Sequence, residues 1–275
     1  MKKFQGFTKC FLQLATPLIA SSVLASSPSQ AATLAFSEGV TEFINFSQNP
    51  LGTSTQTSTN TLAISENDQV RALANAEAFF ITTSPRAFNS SVSQAVGDGR
   101  DYLGLAESEA SIVGNFVVDA GTLFSFDFKA NLNLETKIDS PQFENAIAAG
   151  GISFALMDMS NQSIIDFFSL AGYVETPGDM DFIEIPKSDS VTLNNSAINS
   201  NFGGNQESVT ASIQGSLQRS FTNKTTFALV EVKRNQTRVT APEPSTALAL
   251  LFSGVIGITF TLKSKKQKKL QFLSV

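Results

Sequence analysis

The stretch FSFDFKANLNLE, residues 124 to 135, constrains the fold more than any other part of the chain, because its apolar and polar residues alternate without a break. The apolar positions are Phe124, Phe126, Phe128, Ala130, Leu132 and Leu134. Side chains two residues apart share one face of an extended strand, so the pattern predicts a strand with one buried face and one wet face. A strand of this length would span about 40 Å, and we expect a bend or β-bulge within it.

Six other segments predict strands, because β-branched and aromatic residues are concentrated in them. They are residues 70–81, 111–121, 152–158, 163–175, 208–221 and 226–234. Turn-forming sequences such as VGDGRD, ETPGD and NSNFGGNQ separate them. Together these features predict an all-β fold, an antiparallel β-sandwich of jelly-roll-like type that spans residues 32–240.

Two segments allow a different interpretation. Residues 103–112, LGLAESEASI, are the best candidate for a helix, because Ala and Glu are good helix formers. Residues 47–61, SQNPLGTSTQTSTNT, are of low complexity and rich in Ser and Thr, which predicts an exposed loop, with O-glycosylation as the alternative.

Several residue types are absent or rare, and this excludes whole classes of site. The chain has no His and no Trp, and its one Cys is Cys10. Zinc sites of the usual Cys/His type, a cysteine nucleophile outside the N-terminus and a Ser-His-Asp triad are therefore excluded. Residues 32–240 hold 11 basic against 23 acidic residues, a net charge of −12, which argues against a nucleic-acid partner.

The N-terminus has the three parts of a secretory signal peptide. Lys2, Lys3 and Lys9 are followed by an apolar stretch over residues 11–24 and then by the small residues Ser29 and Ala31. This order predicts a signal peptide over residues 1–31 and export of the domain that comes after it.

The C-terminus contains a second apolar segment. Residues 245–262 predict one transmembrane helix, and the basic tail over residues 263–275 comes directly after it. The lysines of the tail are Lys263, Lys265, Lys266, Lys268 and Lys269. By the positive-inside rule they keep the tail in the cytoplasm, so we expect residues 32–240 to form a periplasmic or extracellular ectodomain.

Pro242, Glu243 and Pro244 stand immediately before that apolar segment. The prolines hold the backbone of residues 241–244 extended, and a processing enzyme can bind an extended backbone in its active site. The tripeptide, the hydrophobic helix and the basic cluster together resemble the PEP-CTERM sorting signal of Gram-negative and cyanobacterial surface proteins. The resemblance implies recognition by exosortase, a membrane transpeptidase, with Pro242, Glu243 and Pro244 as substrate. It also implies a protein that is first anchored, then attached to the surface or secreted.

One acidic turn is a candidate cation site. Asp179, Asp181 and Glu184 are close together in the sequence PGDMDFIE, and oxygen ligands of this kind suit Ca²⁺. The segment lacks the Gly and the distal Glu of an EF-hand loop, so a solvated acidic turn is the alternative. We expect no other cofactor.

The ectodomain offers few aromatic side chains for stacking on sugars. Tyr102 and Tyr173 are its two tyrosines, and the Phe residues fall at inward positions of predicted strands. The leading hypothesis is therefore a non-enzymatic surface or matrix protein, structural or adhesive, which the resemblance associates with exopolysaccharide. A glycan- or calcium-binding module is the alternative, and a carboxylate-based hydrolase is a third hypothesis.

Overall fold

The computed structural model describes residues 32–66 and 69–241, and these form twelve β-strands. The strands are β1 (Ala32–Ile44), β2 (Gly52–Ser65), β3 (Val70–Ile81), β4 (Arg86–Asp98), β5 (Tyr102–Val118), β6 (Leu123–Lys137), β7 (Asn145–Asp158), β8 (Ile164–Thr176), β9 (Phe182–Glu184), β10 (Val191–Asn201), β11 (Gln206–Ser220) and β12 (Thr225–Ala241). Within these two ranges no helix is long and apolar enough to cross a membrane.

The strands form two antiparallel sheets of six. The first sheet has the order β10-β11-β6-β1-β4-β3, and the second has the order β2-β5-β12-β7-β8-β9. Strand β4 of the first sheet packs against β5 and β12 of the second, and β1 packs against β7 and β12. The two sheets therefore lie face to face, and the prediction of an all-β antiparallel sandwich is confirmed.

Strand β6 contains the alternating stretch from which the fold was predicted. Its even-numbered residues from Phe124 to Leu134 are buried between the sheets. The pairing of β6 with both β1 and β11 runs without a register shift, so of the bend or β-bulge expected from its length, the β-bulge is absent. Strands β1 and β11 are both long enough to pair along β6, so β6 does not need an inserted residue. The register shifts lie instead beside Asn194 in β10 and Ile165 in β8.

One end of the interior is filled by aromatic rings. The largest buried side chains include Phe43, Phe116, Phe124, Phe126, Phe128, Phe154, Phe168 and Phe227. Their rings meet mostly edge to face or tilted, as between Phe124 and Phe227, whose centroids are 4.8 Å apart. Burial of each ring contributes roughly 1.5–3 kcal/mol, so this cluster is a major source of stability.

Next to the rings, a belt of buried polar side chains crosses the interior. We call it the polar belt, and it consists of Ser37, Thr41, Asn89, Ser91, Ser93, Ser108, Glu231, Lys233, Asn235 and Thr237. Asn235 Nδ2 donates to the backbone oxygen of Ser91 at 2.8 Å, and Ser37 Oγ donates to Asn235 Oδ1 at 2.8 Å. These bonds join strands of opposite sheets through side chains.

Two of the alternative interpretations are corrected by the structure. Most of residues 47–61, predicted to be a loop, belong to β2, which pairs along its length with β5 at the edge of the second sheet. Its residues are exposed on both faces, so a Thr-rich polar sequence suits it. Residues 103–112 belong to strand β5 and not to a helix, because pairing with β2 and β12 overrides helix propensity.

The predicted targeting segments lie outside the described residues. They are the signal peptide over residues 1–31, the motif Pro242, Glu243 and Pro244, the apolar segment 245–262, and the tail with Lys263, Lys265, Lys266, Lys268 and Lys269. These assignments remain predictions.

Candidate functional site

A shallow groove of about 340 Å³ crosses the outer face of the first sheet. It is formed by strands β1, β6, β11 and β10, in their order across the sheet. The residues that line it are Glu38, Val40, Asn131, Leu132, Asn133, Ala197, Asn199, Thr210, Ala211 and Ser212. We call this feature the groove.

Strand register aligns the outward side chains of the groove in two rows that run across the strands, which we call rungs. The first rung is Glu38, Asn133, Thr210 and Asn199, and the second is Val40, Asn131, Ser212 and Ala197. In an antiparallel sheet, directly opposite residues point to the same face, so each rung presents four neighbouring side chains to the solvent. The groove is therefore built on regular strands and not on loops.

Five of the ten residues that line the groove carry an amide or a hydroxyl group. Among the described residues, the side chains of Asn131, Asn133 and Asn199 have no hydrogen-bond partner, and the same holds for Thr210 and Ser212. An Asn side chain offers two N–H donors and an acceptor oxygen, and a hydroxyl offers one donor and two acceptor sites. The groove thus presents free donors and acceptors next to small apolar side chains.

Glu38 is the one carboxyl group among the lining residues. Burial beside its neighbours on β4 and β6 raises the pKa of Glu38 above its ordinary value. Within the described part of the chain no basic side chain forms an ion pair with it. The carboxyl therefore holds its proton to a higher pH than a free glutamic acid does, and in that form it adds a hydrogen-bond donor to the rung.

A second hollow of about 190 Å³ continues the polar surface along the same strands. Lys129 of β6, Gln214 of β11 and Asn194 of β10 contribute to its lining. Asn194 is the extra residue at the register shift of β10, so the bulge places one more amide at this position. A chain-like ligand could run along the strands from one hollow to the other.

A small aromatic platform lies on the opposite side of the molecule, on the outer face of the second sheet. The rings of Tyr173 and Phe182 are nearly parallel, with centroids 6.1 Å apart. Phe182 is 41% exposed, which differs from the inward position predicted for the Phe residues. Tyr102, the other tyrosine, is buried and donates its hydroxyl to Thr33 Oγ1 at 2.6 Å.

The predicted calcium ligands lie close to this platform, at the turn between β8 and β9. Asp181 Oδ1 accepts the backbone N–H of Glu175 at 2.9 Å, while Asp179 is exposed and Glu184 is the last residue of β9. Among the described residues, no three acidic side chains are grouped so that they could hold a metal ion. The two interpretations of this turn, a calcium site and a solvated acidic turn, both remain predictions.

Comparisons with protein-family models, with curated proteins and with solved structures found no match to this chain. No ligand or activity can therefore be transferred to the groove from a relative. Its function has to be inferred from the chemistry of the side chains that line it.

Half of the groove could be anticipated from the sequence. Asn131 and Asn133 lie on the predicted wet face of β6, and Thr210 and Ser212 lie in a predicted strand. Glu38 and Asn199 were missed, because β1 and β10 have weak strand patterns. In β1 the outward residues Leu34, Phe36 and Val40 are more apolar than the inward ones, which obscures the alternation.

Proposed function

We propose that this chain is an exported surface or matrix protein, and that its β-sandwich, of jelly-roll-like type, binds a polysaccharide non-enzymatically along the groove. The observation that carries the proposal is the pair of four-residue rungs, in which five of the eight side chains carry a free amide or hydroxyl group. Sugar hydroxyls act as both donors and acceptors, so such a surface matches them in chemistry.

The charge of the domain limits the class of polysaccharide. The net charge of −12 over residues 32–240 repels polyanions at low salt. An uncharged glycan is therefore the ligand class that the groove fits best. Stacking on aromatic rings contributes nothing here, because the lining contains no aromatic side chain.

The composition of the groove supports binding over hydrolysis. Most glycoside hydrolases use a pair of carboxyl groups on either side of the scissile bond. Glu38 alone supplies a carboxyl to the lining. A non-enzymatic role also agrees with the leading interpretation of the sequence.

Delivery to the cell surface is the second part of the proposal. The signal peptide starts export, the lysines from Lys263 to Lys269 halt it, and Pro242, Glu243 and Pro244 are recognised by an exosortase-type enzyme. The mature ectodomain is then released into, or attached to, an extracellular polysaccharide layer.

The binding proposal is tested with the full chain, purified from the envelope, on a glycan array and in pull-downs with host exopolysaccharide. Replacement of Asn131 and Asn133 together by Ala should weaken binding by about tenfold or more, because several hydrogen bonds are lost. Asn75→Ala is the matched control, since Asn75 is exposed on the same face, in β3. Loss of binding in Tyr173→Ala and not in the groove variant would assign the ligand to the aromatic platform.

The sorting proposal is tested by the intact mass of the protein recovered from a host that possesses exosortase. We expect the mature form to lack residues 245–275. Replacement of Pro242 and Pro244 by Ala should preserve the tail and retain the protein in the membrane. A wild-type protein that still carries residues 245–275 would contradict the sorting interpretation.

A further inference from the structure

Three buried polar side chains meet in the polar belt where β4 faces β12. They are Asn89, Glu231 and Lys233, and each is 0% exposed. Lys233 Nζ donates to the backbone oxygen of Asn89 at 2.5 Å and lies 3.8 Å from Glu231 Oε1. Asn89 Nδ2 donates to Glu231 Oε2. The amine and the carboxyl of β12 thus both contact the same asparagine of the opposite sheet.

A static ion pair explains this cluster poorly. A lysine ammonium has three N–H donors, but within the described residues Lys233 Nζ donates one hydrogen bond. Asn89 Oδ1 and Glu231 Oε1 are also buried there without a hydrogen-bond partner. Each unpaired buried polar group costs free energy, so a charged pair in this place is unfavourable.

Burial instead shifts both groups towards their neutral forms. Burial lowers the pKa of the Lys233 amine to about 8, although the nearby Glu231 carboxylate opposes this. Burial also raises the pKa of Glu231. A lowered pKa increases the share of Lys233 that is the unprotonated, nucleophilic amine at neutral pH. The cluster therefore combines an amine, a carboxamide and a carboxyl group in a site without solvent exposure.

We propose that Lys233 and Asn89 form an intramolecular isopeptide bond, with Glu231 as the catalytic acid and base, so that one covalent bond joins the two sheets. The reaction is a single self-modification and is independent of the proposed function of the groove.

The reaction balances without any additional reagent. The lone pair of the neutral Lys233 Nζ attacks Asn89 Cγ, and the carbonyl electron pair moves to Oδ1. Nζ loses a proton to Glu231, and Glu231 donates a proton to Asn89 Nδ2, which it already contacts. When the carbonyl forms again, the bond from Cγ to Nδ2 breaks and ammonia leaves. An amine and a primary amide thus become a secondary amide and ammonia, with no oxidation or reduction.

The fold brings Lys233 Nζ within hydrogen-bond distance of the backbone oxygen of Asn89, the residue whose carboxamide it would attack. Groups held side by side in a rigid, dry interior react as if their concentrations were very high, with effective molarities of about 10⁵ M or more. Gly39 of β1 makes room for the lysine, since a Cβ there would lie 2.8 Å from Lys233 Cδ. The product also suits the site better. The new secondary amide has one N–H that needs a hydrogen-bond acceptor, and Glu231 can accept it.

Such a bond would give an exported domain a covalent cross-link that cysteine cannot provide. Residues 32–241 contain no Cys and hence no disulfide. The bond would connect residues 144 positions apart in the chain. Closing a long loop restricts the unfolded chain, so the linked protein should be harder to unfold.

The test is tryptic mass spectrometry of the full wild-type chain after denaturation. The bond blocks cleavage at Lys233, so peptides 87–100 and 225–234 should appear as one species, lighter than their sum by one ammonia. Recovery of the separate, unmodified peptides 87–100 and 225–233 in full yield from folded protein would overturn the proposal.

Three variants identify the roles of the side chains. Lys233→Arg keeps a buried cation but lacks the amine, and we expect complete loss of the joined species. Glu231→Gln keeps the shape of the side chain but removes its acid–base group. After the same reaction time, the yield of the joined species should be at least tenfold lower than in the wild type. Lys224→Arg changes an exposed lysine and should leave the yield unchanged. If the variants fail to fold, the wild-type peptides still decide the question.

Discussion

Glu231 and Lys233 are alternate residues of β12, and both point into the interior, where Oε1 of the glutamate lies 3.8 Å from Nζ of the lysine. Neither side chain is exposed to solvent. Removing two charges from water costs several kcal/mol for each, and attraction between them seldom returns the whole of it. Each group therefore depends on the other, and on Asn89, for its place in the core.

Replacement of Lys233 by Met should expose this dependence. The variant leaves the Glu231 carboxyl buried without its basic partner and also prevents the proposed bond to Asn89, so we expect a loss of at least about 3–5 kcal/mol in the free energy of unfolding. The double variant Lys233→Met with Glu231→Gln should recover about 1–3 kcal/mol of that loss. Neither variant has the lysine amine, so their comparison isolates the carboxyl group. Equal urea midpoints for the two variants would contradict this account.

The same two variants should differ in the pH dependence of their stability. Burial raises the pKa of Glu231 above its ordinary value of 4.5. The folded state of the single variant therefore binds more protons than the unfolded state between pH 4.5 and the raised pKa. Its stability is full below pH 4.5 and falls as the pH rises through the raised pKa. Urea titrations from about pH 4 to pH 8 should show this fall, relative to a double variant that lacks the titrating group.

The sheets could be predicted from the sequence where one face of a strand is apolar and the other polar. Strand β6 satisfies this rule over twelve residues, and the rule located it correctly. Strand β2 does not, because both faces of this edge strand meet water and neither selects apolar residues. A polar strand of that kind has the composition of a loop, so periodicity could not separate the two.

The polar belt could not be predicted for a related reason. In β12 the inward residues include Phe227 and Leu229 but also Glu231 and Lys233, while the outward Val232 is apolar. Hydrophobicity alone therefore assigns the middle of the strand to the wrong faces. Counting in steps of two from Phe227 would have placed both charged residues in the interior. Such a count cannot predict the contact with Asn89, since that contact comes from the packing of two sheets.

Calcium binding at the turn between β8 and β9 can be tested directly. A calcium ion takes six to eight oxygen ligands, and Asp181 already uses one carboxylate oxygen to accept the N–H of Glu175. Since the acidic side chains there are not grouped for a metal, we expect about 1 mM Ca²⁺ to leave the melting temperature unchanged. An increase that disappears in Asp179→Asn would show that the turn does bind calcium.

Gly39→Ala should disturb the core through Lys233. A Cβ at this position would lie 2.8 Å from Lys233 Cδ and 3.2 Å from Cγ, so the lysine stem has to move within a packed interior. We expect a loss of about 1–3 kcal/mol in the free energy of unfolding, measured by urea denaturation.

Gly151→Ala is the matched control for this substitution. Gly151 also lies within a strand, β7, but a Cβ there meets nothing within 4 Å. Its replacement by Ala should be neutral or slightly stabilising, because Ala restricts the unfolded chain more than Gly does. If both variants lost equal stability, the cost would come from the strand backbone, and the space that Gly39 leaves for Lys233 would have no energetic role.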